Sequence, residues 1–333
     1  MNTKEEIIEA LEGNCDGYAP PAVFTQTATV GQMGACGCTF PDANTDPVKM
    51  STLALQMSKQ FGFATARVPY CLTVEAERFG CEINMGRGGN PPMVVNSPYR
   101  SEEIMDVPED LISVDEFVSG GRCATVLKAA EICSKKEDIF TIAGMCDPLA
   151  VVCHILGMEN FLMGSFMEPE RGDRWISAIT PHISAYASAL SEVSDCVTII
   201  TEGTSDIIPP DMFDMFVTEH IKGVIGGMRS YSVVHCCGDT SAVLDNLASL
   251  GETALSVETA YDPEGVIGRV GSKVRLIGGI NPVETLYQGR PAEIIGCAKR
   301  YSELGYAVIA PECGVPPQTP DGNLSAFAKY RES

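Results

Sequence analysis

From about residue 64 onward the chain alternates short apolar runs with loops, each followed by a stretch whose apolar residues recur every three or four positions. The first kind of run reads as a strand and the second as an amphipathic helix. Strands are expected at Val197 to Thr201, Tyr231 to His235, Ala254 to Glu258, Leu276 to Ile280 and Tyr306 to Ala310. Helices are expected between and after them, at Asp211 to Ile225, Ala242 to Leu250, Pro263 to Val270, Pro291 to Leu304 and Asn323 to Tyr330. Strand followed by helix, again and again, predicts a parallel sheet with crossover helices. Enough such units over roughly 250 residues favour a closed (β/α)8 TIM barrel over an open sheet. No glycine-rich phosphate fingerprint follows any of the strands, which also speaks against the open dinucleotide-binding alternative.

The first 65 residues have a different texture. Lys4 to Glu12 reads as a helix, with Thr3 as cap and Glu6 as its reciprocal partner three residues later. Pro20-Pro21 and a short apolar run, Ala22 to Thr25, lead into a Gly- and Cys-rich segment from Gly31 to Cys38. Met50, Leu53, Ala54, Met57 and Phe61 then fall on a helical period. The expectation is one domain over residues 1–333, with an N-terminal helical extension (1–65) joined to a barrel (66–333).

Charge narrows the partners. The chain carries 44 acidic against 23 basic side chains, a formal net charge of −21. Duplex binding needs clustered cations to displace counterions, so nucleic acid is excluded as a partner. An anionic membrane surface is disfavoured for the same reason. No run reaches the roughly 18 apolar residues of a spanning helix. The first residues lack the basic-then-apolar pattern of a secretory signal. The expected location is cytoplasmic. In that compartment the 14 cysteines are not a disulfide framework; most read as small buried hydrophobes.

The chemistry-bearing pattern is His235-Cys236-Cys237-Gly238. On a strand, side chains alternate, so His235 and Cys237 share one side and Cys236 faces the other. They sit at a strand's carboxyl end, where (β/α)8 enzymes build their sites. Pro311-Glu312-Cys313-Gly314 occupies the same place two strands later. One imidazole and two thiolates form the three-ligand zinc pattern that leaves a fourth position open. Glu258, ending the intervening strand, would look into the same mouth and could supply an oxygen. Such a centre suits an electron-rich thiolate nucleophile, and so sulfur alkylation, better than hydrolysis. On spacing alone, a His-x-Cys pair that binds no metal remains open.

The chain also resembles the methylcobamide:coenzyme M methyltransferases of methanogens, within the uroporphyrinogen decarboxylase superfamily. The resemblance spans nearly the whole chain. It is densest at Phe24 to Met33, Pro41 to Asp46, Arg67 to Glu77, His235 to Asp239 and Pro311 to Gly314. It implies a barrel with an added N-terminal segment. It implies zinc held by His235, Cys237 and Cys313, with Glu258 as the nearby acidic residue. The implied reaction is attack of the zinc-activated thiol of coenzyme M on a methyl-Co(III) corrinoid carried by a separate protein. Methyl-coenzyme M and Co(I) corrinoid result, as in methanogenesis from methylated compounds. The arginine-rich N-terminal motif of the true decarboxylases is not visible; Gln26 to Thr29 stands there instead. The rival readings are a methylcobamide:tetrahydrofolate-type methyltransferase and a non-catalytic zinc- or corrinoid-binding regulator.

Coenzyme M bears a sulfonate, which calls for a cation or a ring of backbone N–H groups. Arg67, at the end of an early strand, is the candidate. The remaining polar residues read as structural. Cys36 and Cys38 flank a loop glycine, His154 reads as a satisfied interior histidine, and His182 and His220 as surface residues. Gly86-Arg87-Gly88-Gly89 reads as a flexible loop, and Glu75 and Glu77 as solvated or capping, with a functional role kept open for Glu75 because it falls in a densely matching segment.

Overall fold

The computed structural model describes residues 2–14, 17–101, 106–258 and 262–332. Seven of the apolar runs assemble into one parallel sheet, in the order β1 (Thr65–Val68), β4 (Phe140–Cys146), β5 (Cys196–Thr201), β6 (Tyr231–Cys236), β7 (Ala254–Val257), β8 (Arg275–Ile280) and β9 (Val308–Pro311). The remaining two strands, β2 (Glu82–Asn84) and β3 (Met93–Asn96), pair antiparallel as a separate hairpin. Strands covered on both faces read as unbroken apolar runs rather than alternating ones. β1, β4, β5 and β7 are buried at every position.

The eighth barrel position belongs to the N-terminal segment. Ile309 of β9 donates its N–H to the Pro20 carbonyl (3.1 Å), and Ala22 donates to the Ile309 carbonyl (2.9 Å). On the other side, the Val23 N–H reaches the Thr65 hydroxyl of β1 (3.4 Å). Two adjacent prolines have no N–H to give, so this segment closes the ring through a bridge at Pro21 and not through a full ladder. Residues expected in the extension thus stand in the barrel wall.

The barrel floor is sealed by the first helix, Lys4–Glu12, as expected. Thr3 accepts the Glu6 N–H (3.2 Å) and Glu6 accepts the Thr3 N–H (3.0 Å), satisfying two orphan donors. The helix drives Ile7, Ala10 and Leu11 into one buried cluster with Phe24, Phe140, Ile142, Val233, Ile277 and Val308. Each such large side chain stabilises by about 1.5–3 kcal/mol when fully buried. With the floor packed, the cavity that reaches into the barrel opens at the carboxyl ends of the strands.

Three expected helices are recovered closely: Pro263–Val270, Pro291–Leu304 and the last, Asp321–Ala328. The helix expected at Asp211 to Ile225 is divided by a π-helical turn, Asp214–Thr218. That expected at Ala242 to Leu250 shortens to Leu244–Leu247. His182, expected at a helix start on the surface, lies inside the long helix Pro169–Val193, which runs through Pro181. It is 6% exposed; its Nε2 is 2.7 Å from the Ile112 carbonyl, and its ring packs on Phe79 and Phe117. The run at 86–89, expected as a flexible loop, is the turn of the β2–β3 hairpin. A Cβ at Gly86 would stand 2.1 Å from the Asn90 carbonyl oxygen at φ 75°, so that turn requires glycine. No single helix among the described residues is long and apolar enough to cross a membrane. Cys15, one of the isolated cysteines, lies outside the described residues.

Candidate metal centre

β6 ends on His235 and Cys236 and hands Cys237 to the loop. The alternation holds: His235 is buried toward the barrel axis, while the Cys236 sulfur turns away to the Gly203 carbonyl (3.6 Å). Ser256 of β7 is the register partner of His235, and its hydroxyl lies 3.0 Å from Nδ1. That bond leaves Nε2 facing the Cys237 sulfur at 3.1 Å. The Cys237 sulfur is 3.3 Å from that of Cys313. Cys313 arrives from the loop after β9, which is tied to the eighth barrel segment: Thr25 donates its hydroxyl to the Cys313 carbonyl (2.7 Å), and Val315 donates its N–H to Gln26 (2.9 Å).

One nitrogen and two sulfurs therefore lie within 4.8 Å of one another. A tetrahedral zinc with bonds of about 2.1 Å to nitrogen and 2.3 Å to sulfur separates its donors by roughly 3.5–3.8 Å. The observed spacings lie within half an ångström of that, so the donor set fits such an ion after a small opening. The Cys237 thiol is pushed up by its hydrogen bond to Cys313 and by burial, and Cys313 is correspondingly pulled down.

The triad opens into a cavity of about 600 Å³. Its wall is mostly apolar, with Tyr70, Leu72, Met93 and Val94 facing the triad side formed by His235, Cys237, Cys313 and Glu202. A small-molecule site commonly looks like this: an apolar cleft with a few converging polar groups.

Glu258 does not stand among the three donors. It is half-buried, accepts the Gly238 N–H, and borders a neighbouring depression with Asp206, Asp239 and Arg269. Burial and the nearby Cys313 hold its carboxyl above the ordinary range. The carboxylate that does line the cavity is Glu202, directly after β5, raised by burial and by Cys313. Sequence reasoning passed over Glu202, although it occupies the same place after its strand as Glu258 after β7.

Arg67 is buried on β1 and does not line the cavity. A Cβ at Gly144 would stand 2.0 Å from its Nη2, so the absent side chain makes room for the guanidinium. Nη1 donates to the Pro69 carbonyl, while Nε and Nη2 have no hydrogen-bond partner among the described residues. Burial lowers its pKa to about 10. Arg100, exposed at the rim, is the one arginine or lysine among the described residues that lines the cavity.

Three further expectations need correction. His154 lines the cavity and is not satisfied: Nδ1 has no hydrogen-bond partner among the described residues, and burial draws its pKa down to about 4. Glu75 is neither solvated nor a cap. It is buried, accepts the Cys146 N–H (3.2 Å), and is raised to about 7 by burial. Glu77 pairs with Arg122, whose guanidinium also donates to Thr73 and to the Cys71 sulfur (3.2 Å). Cys36 and Cys38 belong to no metal-ligand cluster among the described residues, and the Cys38 sulfur points to the Cys36 carbonyl (3.7 Å).

Residues 2–333 match the family model for uroporphyrinogen decarboxylase (URO-D). The chain is 32% identical over 336 residues to methylcobamide:CoM methyltransferase MtaA of Methanosarcina barkeri, covering 99% of this chain and 97% of that protein. It is 30% identical over 337 residues to methylcobamide:CoM methyltransferase MtbA of Methanosarcina acetivorans, covering 98% and 96%. A solved methyltransferase from Methanosarcina mazei superposes with a TM-score of 0.91 at 30% identity, over 100% of this chain and 99% of that one.

Proposed function

The chain belongs to the uroporphyrinogen decarboxylase (URO-D) family and is a methyltransferase of it, and from that premise we propose that it moves a methyl group from a protein-held methyl-Co(III) corrinoid to the thiol of coenzyme M. The observation that carries the reading is the meeting of His235, Cys237 and Cys313 at the wall of a closed-floored cavity. Two curated relatives that cover the chain end to end are named for this transfer. We take residues 1–65 and 66–333 as one domain, because Pro20 to Val23 complete the barrel and Thr25 fastens the Cys313 loop.

In this reading His235, Cys237 and Cys313, all of which line the cavity, would hold zinc. Zinc bound there lowers the pKa of a coordinating thiol, so that sulfur enters the reaction as thiolate. The chain's own part is to orient and to exclude water. Ser256 fixes the imidazole so that Nε2, not Nδ1, faces the metal position. Thr25 holds the Cys313 loop at its distance from Cys237. The apolar wall of Tyr70, Leu72 and Met93 dries the space in which the thiol meets the methyl carbon. A carbon–sulfur bond forms, the carbon–cobalt bond breaks, its electron pair stays on cobalt, and the thiol proton leaves to solvent. Glu258 accepts the Gly238 N–H and so fixes the turn that follows Cys237, and Arg67 contributes positive potential to an anionic substrate from behind the cavity wall.

The test is anaerobic mixing of the purified chain with methylcobalamin and coenzyme M. The expected result is a cob(I)alamin spectrum with equimolar methyl-coenzyme M, from a preparation holding about one zinc per chain. No reaction from a zinc-replete chain would overturn the reading.

A further inference from the structure

A helix lying on a protein surface turns its polar stripe outward. Helix Met158–Met167 does the opposite. Its buried side carries Phe161 and Ser165, and its outward stripe is Glu159, Met163, Phe166 and Met167. Met163 is 65% exposed, Phe166 57% and Met167 81%. These are three of the largest apolar exposures among the described residues. Two more, Met93 (64%) and Val95 (49%), share one face of β3.

Both elements are parts of the cavity rim. Gly157 and Met158 at the start of the helix line the cavity, as do Met93 and Val94 on the hairpin. The Asn160 side chain donates to the Ser101 carbonyl, and Arg100 packs against Gly157, which ties the segment after β3 to the helix. At 1.5 Å per residue, Met167 lies about 14 Å along the helix from Met158. Met93 thus stands at the opening itself, and the helix stripe begins at Met163, about 8 Å along the helix from Met158 at the rim.

We propose that this rim, Met163, Phe166 and Met167 with Met93 and Val95, is the surface on which the corrinoid-carrying protein docks. The inference rests on the transfer reaction proposed above, which delivers its methyl group on a macromolecule that must cover this opening. Interface cores are enriched in methionine and aromatic residues, and unbranched methionines adapt to more than one partner. A lipid surface is the competing occupant, since Pro148–Leu156 and Met158–Met167 together are apolar enough for a bent span. Charge favours the protein. The stripe is flanked by exposed Glu159, Glu168 and Glu170 on a chain of net charge −21, which anionic headgroups repel.

The test compares donors in the triple variant Met163→Glu, Phe166→Glu, Met167→Glu, none of which lines the cavity. With free methylcobalamin and coenzyme M, the variant is expected within twofold of the unaltered chain and retains its zinc. With purified methyl-corrinoid carrier proteins, tried as a panel, kcat/KM is expected to fall at least tenfold, through KM. Direct binding of carrier, read by sedimentation, is expected to weaken in parallel. Equal turnover of carrier by both chains would overturn the proposal. So would turnover of methylcobalamin with no carrier in the panel used or bound by the unaltered chain, or co-sedimentation with phosphatidylglycerol vesicles that the variant loses. Should the unaltered chain turn over neither donor, the function proposed above has failed; carrier binding then decides the docking surface by itself, supporting it if the variant loses binding and overturning it if not.

Discussion

Two corners of the barrel mouth hold unusual polar groups, and they are built in opposite ways. At the β6–β9 corner the groups are few and soft. His235 is held from behind by Ser256 and the Cys313 loop by Thr25, while the Cys237 sulfur meets both partners directly, so the three donor atoms share one focus at the cavity. At the β1–β4 corner the groups are many and hard. Arg122 spends its donors on Glu77, Thr73 and Cys71, and Glu75 is spoken for by the Cys146 N–H. Arg67 has two donor nitrogens without partners among the described residues, yet it is walled off beside Gly144. Titration behaviour alone does not separate the two, since burial displaces groups strongly at both. Access to the cavity and a common focus of donor atoms do.

The largest expected effect lies at the soft corner. Cys237→Ser and Cys313→Ser should each lose stoichiometric zinc and lower methyl transfer by about three orders of magnitude, with the far-UV circular dichroism unchanged. Metal per chain and the cob(I)alamin spectrum read the two effects. The adjacent Cys236→Ser, aimed away from the cavity, should stay within twofold. A Cys313→Ser chain that keeps one zinc would erase the distinction between the corners. Next in size is Ser256→Ala, which removes the support behind His235 and should weaken zinc affinity by about 10- to 100-fold, as loss of such a partner generally does. Competition with a chromophoric chelator measures it. An unchanged affinity would mean that the packing of β6 against β7 orients the ring without the hydroxyl.

What could be read from the sequence divides along the same line. Strand-end logic locates His235, Cys237 and Cys313 because it uses only local order, alternation along one strand and the polarity of a parallel barrel, and the three side chains meet as that logic requires. The same logic overlooked Glu202. It overlooked the eighth barrel position too, because Pro20 and Pro21 mask an extended segment whose partner, Ile309, lies almost 300 residues away. Burial of charge was the least legible feature. Glu75 and His182 look like surface residues by type, and only the tertiary arrangement supplies the Cys146 N–H and the Ile112 carbonyl that make their burial tolerable.

At the hard corner the expected effects are smaller. Arg67→Met keeps most of the volume and removes the charge along with the two orphaned donors. An unscreened positive group behind the wall is worth about 1 kcal/mol to an anion across the cavity. The KM for coenzyme M should therefore rise about 5- to 10-fold with kcat unchanged and zinc retained. A KM that does not move, joined to higher stability, would assign Arg67 to packing and leave the sulfonate to Arg100 or to backbone N–H groups.

Glu75→Gln tests whether a strongly displaced carboxyl at the hard corner is structural. Burial raises its pKa from 4.5 to about 7, against the opposing pull of its hydrogen bonds and of Arg122 and Arg67. Between those two values the unfolded chain gives up this proton while the folded chain keeps it. The contribution to stability is therefore intact below about pH 4.5 and is lost as the pH rises toward 7. At about 1.4 kcal/mol per pK unit the full loss is about 3.5 kcal/mol. Glutamine keeps the shape, offers the same oxygen to the Cys146 N–H, and does not ionise. Urea unfolding at a series of pH values should thus show the variant gaining on the unaltered chain from pH 5 to 8, by about 1–3 kcal/mol, while zinc content and transfer rate stay level. A variant that loses ground as pH rises would show that the ionised carboxylate is what Arg67 and Arg122 require. The β1–β4 corner would then be an ion-pair network tuned for charge, and not a sealed structural joint.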